Sequence, residues 1–163
     1  MLTQKTPGKR RPRSSVAVQR ERKSVAVQRA AAGAPSAALL RRFARAAALG
    51  GCEVVLRVVG PSESKRLNSR YRRKSQSTNV LSFSYDRRRG DVVLCHQVIA
   101  REAKQQGKSL RAHYAHLVVH GILHLRGHDH LRRSDAARME RAEIRILRRL
   151  GFADPYGSPA PVE

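Results

Sequence analysis

The chain has 163 residues, enough for one domain with a hydrophobic core. Its 34 basic and 12 acidic residues give a formal charge of +22, and the usual partner of so basic a protein is a polyanion such as nucleic acid. We find neither an apolar run long enough to span a membrane nor the pattern of a secretion signal, so we expect a cytoplasmic protein without membrane contact. Two widely separated cysteines, Cys52 and Cys95, argue against a disulfide framework.

The N-terminal segment is set apart by its composition. Residues 1–23 are predicted to form a basic, disordered arm, which either contacts RNA or only aids solubility. The arm contains Ser-Val-Ala-Val-Gln-Arg at residues 15–20, and the same six residues recur at 24–29. We predict that the second copy is the first strand of a domain spanning residues 24–156. Residues 157–163 are predicted to be a loose tail.

The remaining pattern predicts an α+β fold. A single domain is expected, with a mixed sheet of about four strands packed against about five helices. Ser62, Ser109 and Ser134 are predicted to cap helices. The elements expected after the first strand are a helix at 37–49, a strand at 53–59, a helix at 62–74, a hairpin at 79–95, and helices at 98–106, from 109 and from 134.

The helix predicted from residue 109 carries a metal-binding pattern. His120 and His124 are four residues apart and therefore project from one helix face. Gly127 can end the helix in the left-handed conformation, which would let the chain return His130 to the same point. Three histidines with an open fourth position are typical of catalytic zinc. This helix is therefore expected to be central. His128 is a possible fourth ligand, and binding by it would close the site.

A protease of the metzincin type uses the same histidine spacing. Those enzymes need a glutamate directly after the first histidine as general base. Here that position is Gly121. The sequence therefore disfavours peptide hydrolysis.

Two motifs resemble the YbeY-type endoribonuclease family. Residues 120–130 are similar to its signature H-G-x-L-H-L-x-G-Y-D-H, except that His128 stands where the family usually has tyrosine. Residues 67–74, Leu-Asn-Ser-Arg-Tyr-Arg-Arg-Lys, and residues 78–83, Thr-Asn-Val-Leu-Ser-Phe, resemble a second family motif. Ser77 replaces the usual proline between them. The resemblance extends from about residue 24 to residue 156.

The resemblance implies a zinc-dependent, single-strand-specific endoribonuclease of ribosomal RNA processing. The expected role is maturation of the 16S rRNA 3′ end and ribosome quality control, with the small ribosomal subunit as partner. One zinc ion per chain is expected on His120, His124 and His130, with no small-molecule cofactor. Arg72 takes the family's functional arginine position. Further RNA contacts are predicted from Arg70, Arg73, Lys74 and Asn79.

Several alternatives stay open at this stage. The chain could instead be a non-catalytic zinc-containing module that binds ribosomal RNA, or a zinc hydrolase acting on another class of substrate. His116 and His128 are candidate general bases. The attacking group could be water or the RNA 2′-hydroxyl. Aromatic residues make up 4% of the chain and tryptophan is absent, so we expect phosphate contacts to dominate over base stacking.

Overall fold

A computed structural model of the chain describes residues 25–48, 52–128 and 132–157. The N-terminal arm with the first repeat copy, His130 and nearly all of the predicted tail lie outside the described residues. The elements are β1 (Val25–Arg29), α1 (Ala37–Ala47), β2 (Glu53–Val59), α2 (Pro61–Arg72), β3 (Val80–Ser84), β4 (Arg89–Cys95), α3 (His96–Gln105), α4 (Leu110–Leu125) and α5 (Arg133–Arg149).

The described strands form one mixed sheet in the order β1-β2-β4-β3. β1 pairs with β2 and β2 with β4 in parallel, whereas β3 and β4 form an antiparallel pair. The inner strands β2 and β4 are rich in valine and leucine, as expected of strands whose residues are mostly buried. The α+β prediction, with about four strands and five helices, is confirmed.

Helix α4 is the central helix of this fold. It contacts α1, α3, α5, β3 and β4. Nine of its 16 residues are buried, and they are distributed around the helix rather than along one stripe, as expected for a core helix. The Ser109 hydroxyl accepts a hydrogen bond from the Ala112 amide at 3.1 Å and caps the helix, as predicted. Within the described ranges, no helix has the length and apolar character needed to cross a membrane.

Two of the three predicted helix caps are wrong. Helix α2 begins at Pro61, with Gly60 in the cap position, because proline supplies a pre-formed helical φ and lacks the amide that would need a partner. Helix α5 begins at Arg133, and its cap residue Arg132 makes no side-chain capping bond. Ser62 and Ser134 therefore lie inside the first helical turns rather than before them.

Gly121 lets α4 approach the sheet closely. A Cβ atom at this position would lie 2.7 Å from Val92 Cγ1 and 3.1 Å from Ser82 Oγ. The Ser82 hydroxyl donates a 3.0 Å hydrogen bond to the Gly121 carbonyl across this contact. The side chain that a metzincin carries here would therefore point into the sheet.

We expect Gly121→Ala to lower the free energy of unfolding by about 1–3 kcal/mol, the usual cost of adding a methyl group to a packed core. Chemical denaturation measures this change. Because the nearest obstructing atom belongs to Val92, the double variant with Val92→Ala should be more stable than the sum of the two single effects predicts. If the effects of the two substitutions on the free energy of unfolding were strictly additive, the contact between α4 and the sheet would be looser than the structure indicates.

Candidate active site

A cleft of about 350 Å³ opens between α4, the edge strand β3 and the end of α2. Alternate residues of β3 face it, because side chains alternate between the two sides of a strand. It brings together four residues predicted from the sequence to be functional, Arg72, Asn79, His120 and His124. Among the described residues, the lining comprises Arg72, Asn79, Val80, Ser82, Ser84, His120, His124 and Leu125.

The two cleft histidines converge on one point. Nε2 of His120 lies 3.1 Å from Nε2 of His124, and the rings stand nearly perpendicular, at 78°. Two nitrogen ligands of a tetrahedral zinc ion lie about 3.3–3.4 Å apart, given Zn–N distances of about 2.0–2.1 Å. The observed spacing fits a pair of imidazoles that share a metal ion, with little movement of either ring.

Glu143 of α5 holds His120 from the side away from the cleft. Its Oε1 accepts a 2.5 Å hydrogen bond from Nδ1 of His120, which leaves Nε2 directed at His124. Its Oε2 accepts from Nε2 of His116 at 3.1 Å and from the Tyr156 hydroxyl. Burial by itself would raise the pKa of the fully buried Glu143, but the hydrogen bonds from His116, His120 and Tyr156 outweigh it and lower the pKa to about 2. The carboxylate is therefore ionised.

The described residues also allow a second metal-binding group. His116, His120 and Glu143 have ligand atoms within 4.8 Å of one another and could hold a metal ion. The carboxylate of Glu143 has no exposed surface, however, and neither it nor His116 lines the cleft. A metal in that group would be shielded from a substrate. A carboxylate bound to the outer nitrogen of a metal-ligating histidine is a common supporting arrangement, and Glu143 has that geometry toward His120.

The support from Glu143 predicts a graded loss of metal affinity. Glu143→Gln should weaken metal binding about 10- to 100-fold, because the amide accepts fewer of the three hydrogen bonds. It should also lower the free energy of unfolding by about 1–3 kcal/mol. Competition with a chromogenic chelator measures the affinity. Glu140→Gln, at an exposed position of the same helix, is the matched control. Equal affinities in the two variants would exclude the supporting role.

Asn79 lies in the cleft wall, but the fold already engages its side chain. Its amide nitrogen donates to the Glu102 carboxylate at 3.0 Å, and its oxygen accepts from the Val80 amide at 2.6 Å. Glu102 is also bound to the buried His113 at 2.8 Å. Asn79 therefore ties the start of β3 to α3 and α4, and His113 is a structural histidine.

The other three residues predicted to contact RNA, Arg70, Arg73 and Lys74, surround the end of α2 beside Arg72. All of them are exposed, and they are absent from the cleft lining. Arg73 has φ 55°, which places a non-glycine residue in the left-handed region at the end of the helix. The backbone of Arg73 is therefore strained, and nothing about a basic side chain requires this conformation.

We expect Arg73→Gly to raise the free energy of unfolding by up to about 1 kcal/mol, because glycine adopts this conformation without strain. If Arg73 contacts RNA, the same variant should bind RNA more weakly. Thermal unfolding and RNA titration separate the two effects. Arg66→Gly, within α2, is expected to destabilise instead. A loss of stability in Arg73→Gly would contradict the strain argument.

Among the described residues, His116 and His128 do not line the cleft. His116 is bound to Glu143 and lies 3.3 Å from the Tyr156 hydroxyl. His128 lines a separate cavity with Arg126 and Arg138, and its pKa is lowered by burial and by these arginines. Neither position places a general base next to Arg72. His130 lies outside the described residues.

Two members of this network, Glu143 and Tyr156, escaped the sequence analysis as functional residues. Glu143 follows Met139 by four residues and precedes Ile146 by three, so it lies on the apolar face of α5. An acidic residue on such a face is a detectable signal of a buried partner. Tyr156 has no comparable signal, because it reaches Glu143 from an irregular segment after α5.

A comparison with protein families bears on the identity of the chain. A sequence model of the family described as Endoribonuclease YbeY matches residues 17–151. The chain belongs to the YbeY endoribonuclease family. The resemblance deduced from the two motifs is thereby confirmed, and with it the prediction of an enzyme that hydrolyses RNA phosphodiester bonds.

Individual relatives cover most of the chain. Endoribonuclease YbeY of Aromatoleum aromaticum is 53% identical over 125 residues, which are 75% of this chain and 81% of the relative. Endoribonuclease YbeY of Nitrosomonas europaea is 52% identical, over 75% of this chain and 76% of the relative. A solution structure of a Thermotoga maritima protein superposes with a TM-score of 0.55 over 82% of this chain and 99% of that chain. At 20% identity, this likeness shows a shared fold and nothing further.

Proposed function

We propose that the protein is a zinc-dependent endoribonuclease that cleaves single-stranded RNA in the cleft between α4 and β3. The observation that carries the proposal is the convergence of His120 and His124, whose Nε2 atoms are 3.1 Å apart, in a cleft that Arg72 also lines. We propose one zinc ion per chain on His120, His124 and His130, with the fourth position open toward the cleft.

The donor set supports zinc. Neutral imidazoles suit zinc better than they suit magnesium or calcium, which prefer oxygen ligands. When bound, zinc supplies a Lewis acid that polarises a phosphoryl oxygen and activates water. Within the chain, Glu143 keeps Nδ1 of His120 protonated and directed away from the cleft. Four ligands would be typical of a structural zinc, so the open cleft beside the histidine pair favours catalysis over a purely structural site.

Arg72 is proposed to bind the scissile phosphate. A guanidinium group pairs two phosphate oxygens at once and stays charged at every relevant pH. Arg72 lies at the end of α2 and lines the cleft together with His120 and His124 of α4. This placement allows its charge to stabilise the additional negative charge that develops on the phosphate during cleavage.

The substrate class follows from charge and family. A formal charge of +22 supports binding to the RNA backbone that is strongly salt-dependent and weakly dependent on sequence. Specificity then needs another source. We propose docking on the small ribosomal subunit in the cytoplasm, where the enzyme acts in maturation of the 16S rRNA 3′ end and in ribosome quality control, as the family resemblance implies. Arg70, Arg73 and Lys74 would contact neighbouring phosphates.

An assay with four substrates tests the proposal. Protein loaded with one equivalent of zinc is incubated with single-stranded RNA, the same RNA as a duplex, isolated small ribosomal subunits and a peptide, each with and without chelator. We expect chelator-sensitive cleavage of the single strand and, at physiological salt, preferential cleavage of RNA in the subunit. RNA binding without cleavage would favour the non-catalytic module, and peptide hydrolysis would favour a different zinc hydrolase.

A further inference from the structure

The edge strand β3 has two faces with different chemistry. Ser82 and Ser84 face the cleft, whereas Leu81 and Phe83 alternate with them and face the opposite side. On that side Leu81 joins a small buried cluster against which Phe83 packs. The cleft and this aromatic side chain are therefore separated by the thickness of one strand.

An exposed tyrosine lies against Phe83. The rings of Tyr71 and Phe83 have centroids 4.8 Å apart and an interplanar angle of 63°, an edge-to-face contact that fixes the orientation of Tyr71. Tyr71 is nevertheless 57% exposed. Tyr156, another large exposed residue, engages Glu143 through its hydroxyl. Tyr71 thus presents an oriented aromatic ring to solvent.

The charges around Tyr71 are those that an RNA backbone requires. The exposed Arg70 and Arg72 flank it in the chain, and the exposed Arg73 and Lys74 follow. The guanidinium carbon of Arg70 lies 5.6 Å from the centre of the Tyr71 ring, a loose contact that an incoming base can displace. Two acidic groups are already engaged elsewhere, since Glu63 pairs with Arg57 and Asp91 accepts from the Tyr85 hydroxyl.

We infer that Tyr71, supported by Phe83, is a stacking site for one unpaired base adjacent to the phosphate bound by Arg72. This inference rests on the proposed function and adds one feature of the substrate, an unpaired base next to the bound phosphate. Consecutive residues of α2 point in different directions, so Arg72 lines the cleft while Tyr71 meets Phe83 beyond its rim. A single strand can leave the cleft over β3 with its phosphate on Arg72 and a neighbouring base on Tyr71.

The stacking site accounts for two properties of RNA binding, the preference for single strands and the weak dependence on sequence. Only an unpaired base can rotate onto an aromatic ring, so the site selects single strands over duplexes. Every base has a flat face, so stacking on tyrosine adds affinity with little sequence preference. The low aromatic content of the chain does not prevent this, because one oriented ring is sufficient.

The test uses zinc-loaded protein and oligouridine carrying one 2-aminopurine at successive positions. Stopped-flow fluorescence records binding before cleavage. The variants are Tyr71→Leu, which retains an apolar side chain against Phe83, and Tyr71→Phe, which retains the ring. We expect quenching at one position with the unmodified protein and with Tyr71→Phe, and its loss in Tyr71→Leu. The single-strand Kd should rise roughly tenfold in Tyr71→Leu, and the duplex Kd should stay unchanged.

Two outcomes overturn the stacking site. One is equal quenching and single-strand affinity in Tyr71→Leu and the unmodified protein. The other is an equal loss of affinity for single strand and duplex, which would indicate a general loss of charge or structure. Thermal unfolding and zinc content confirm that each variant is folded. If the unmodified protein shows the quenching but never cleaves, the proposed catalytic function fails and the stacking site stands.

Discussion

Replacing His124 by alanine is expected to weaken zinc binding by at least roughly a hundredfold and to abolish RNA cleavage. Two remaining imidazoles hold zinc far less tightly than three, whereas the loss of a supporting contact costs about 10- to 100-fold. The comparison with His116→Ala distinguishes the two possible metal sites. His120 belongs both to the cleft pair and to the group with His116 and Glu143, so only the other members tell the sites apart. His116→Ala should retain most of the bound zinc.

Zinc content after gel filtration and competition with a chelator measure both variants. His116 and His124 both lie on α4 and are partly exposed, so His116→Ala also controls for the loss of an imidazole from this helix. If His116→Ala loses zinc and His124→Ala keeps it, the metal lies in the buried group and the cleft assignment fails. His130→Ala should behave like His124→Ala.

Replacing Arg72 by alanine is expected to lower the cleavage rate about 10²- to 10³-fold, the usual effect of removing one group that stabilises transition-state charge. Fold and zinc content should be unchanged, because Arg72 is exposed at the end of α2. Arg72→Lys should recover only part of the rate, since an ammonium group lacks the planar pair of donors. Single-turnover cleavage with saturating protein separates the chemical step from binding.

Arg66→Ala is the matched control, because it removes the same charge from an exposed position of the same helix. It should reduce affinity slightly, in line with a single lost phosphate interaction, and leave the single-turnover rate unchanged. Equal rates in Arg72→Ala and the unmodified protein would assign phosphate binding to another residue. Arg73 and Lys74, which follow Arg72 directly in the chain, are then the next candidates.

Local sequence patterns determine many features of the fold and of the cleft. The spacing of His120 and His124 predicts that their side chains share one face of a helix, and α4 places both in one cleft. Gly127 adopts the positive φ of 85° expected of a glycine at a helix end. A charged turn between two strand-forming runs predicted the hairpin of β3 and β4. Each of these features depends on residues close together in the chain.

The tertiary structure decided the rest, since it joins residues that are far apart in sequence. Glu143 reaches His120 from another helix, and Tyr156 adds a hydrogen bond from an irregular segment. No periodicity encodes which nitrogen of His120 faces Glu143, yet that orientation directs Nε2 toward His124. Similarly, Asn79 occupies a motif position expected to bind RNA, but its side chain is engaged by Glu102 of α3. Local spacing sets which residues share a face, whereas packing between elements sets the partner that each polar atom finds.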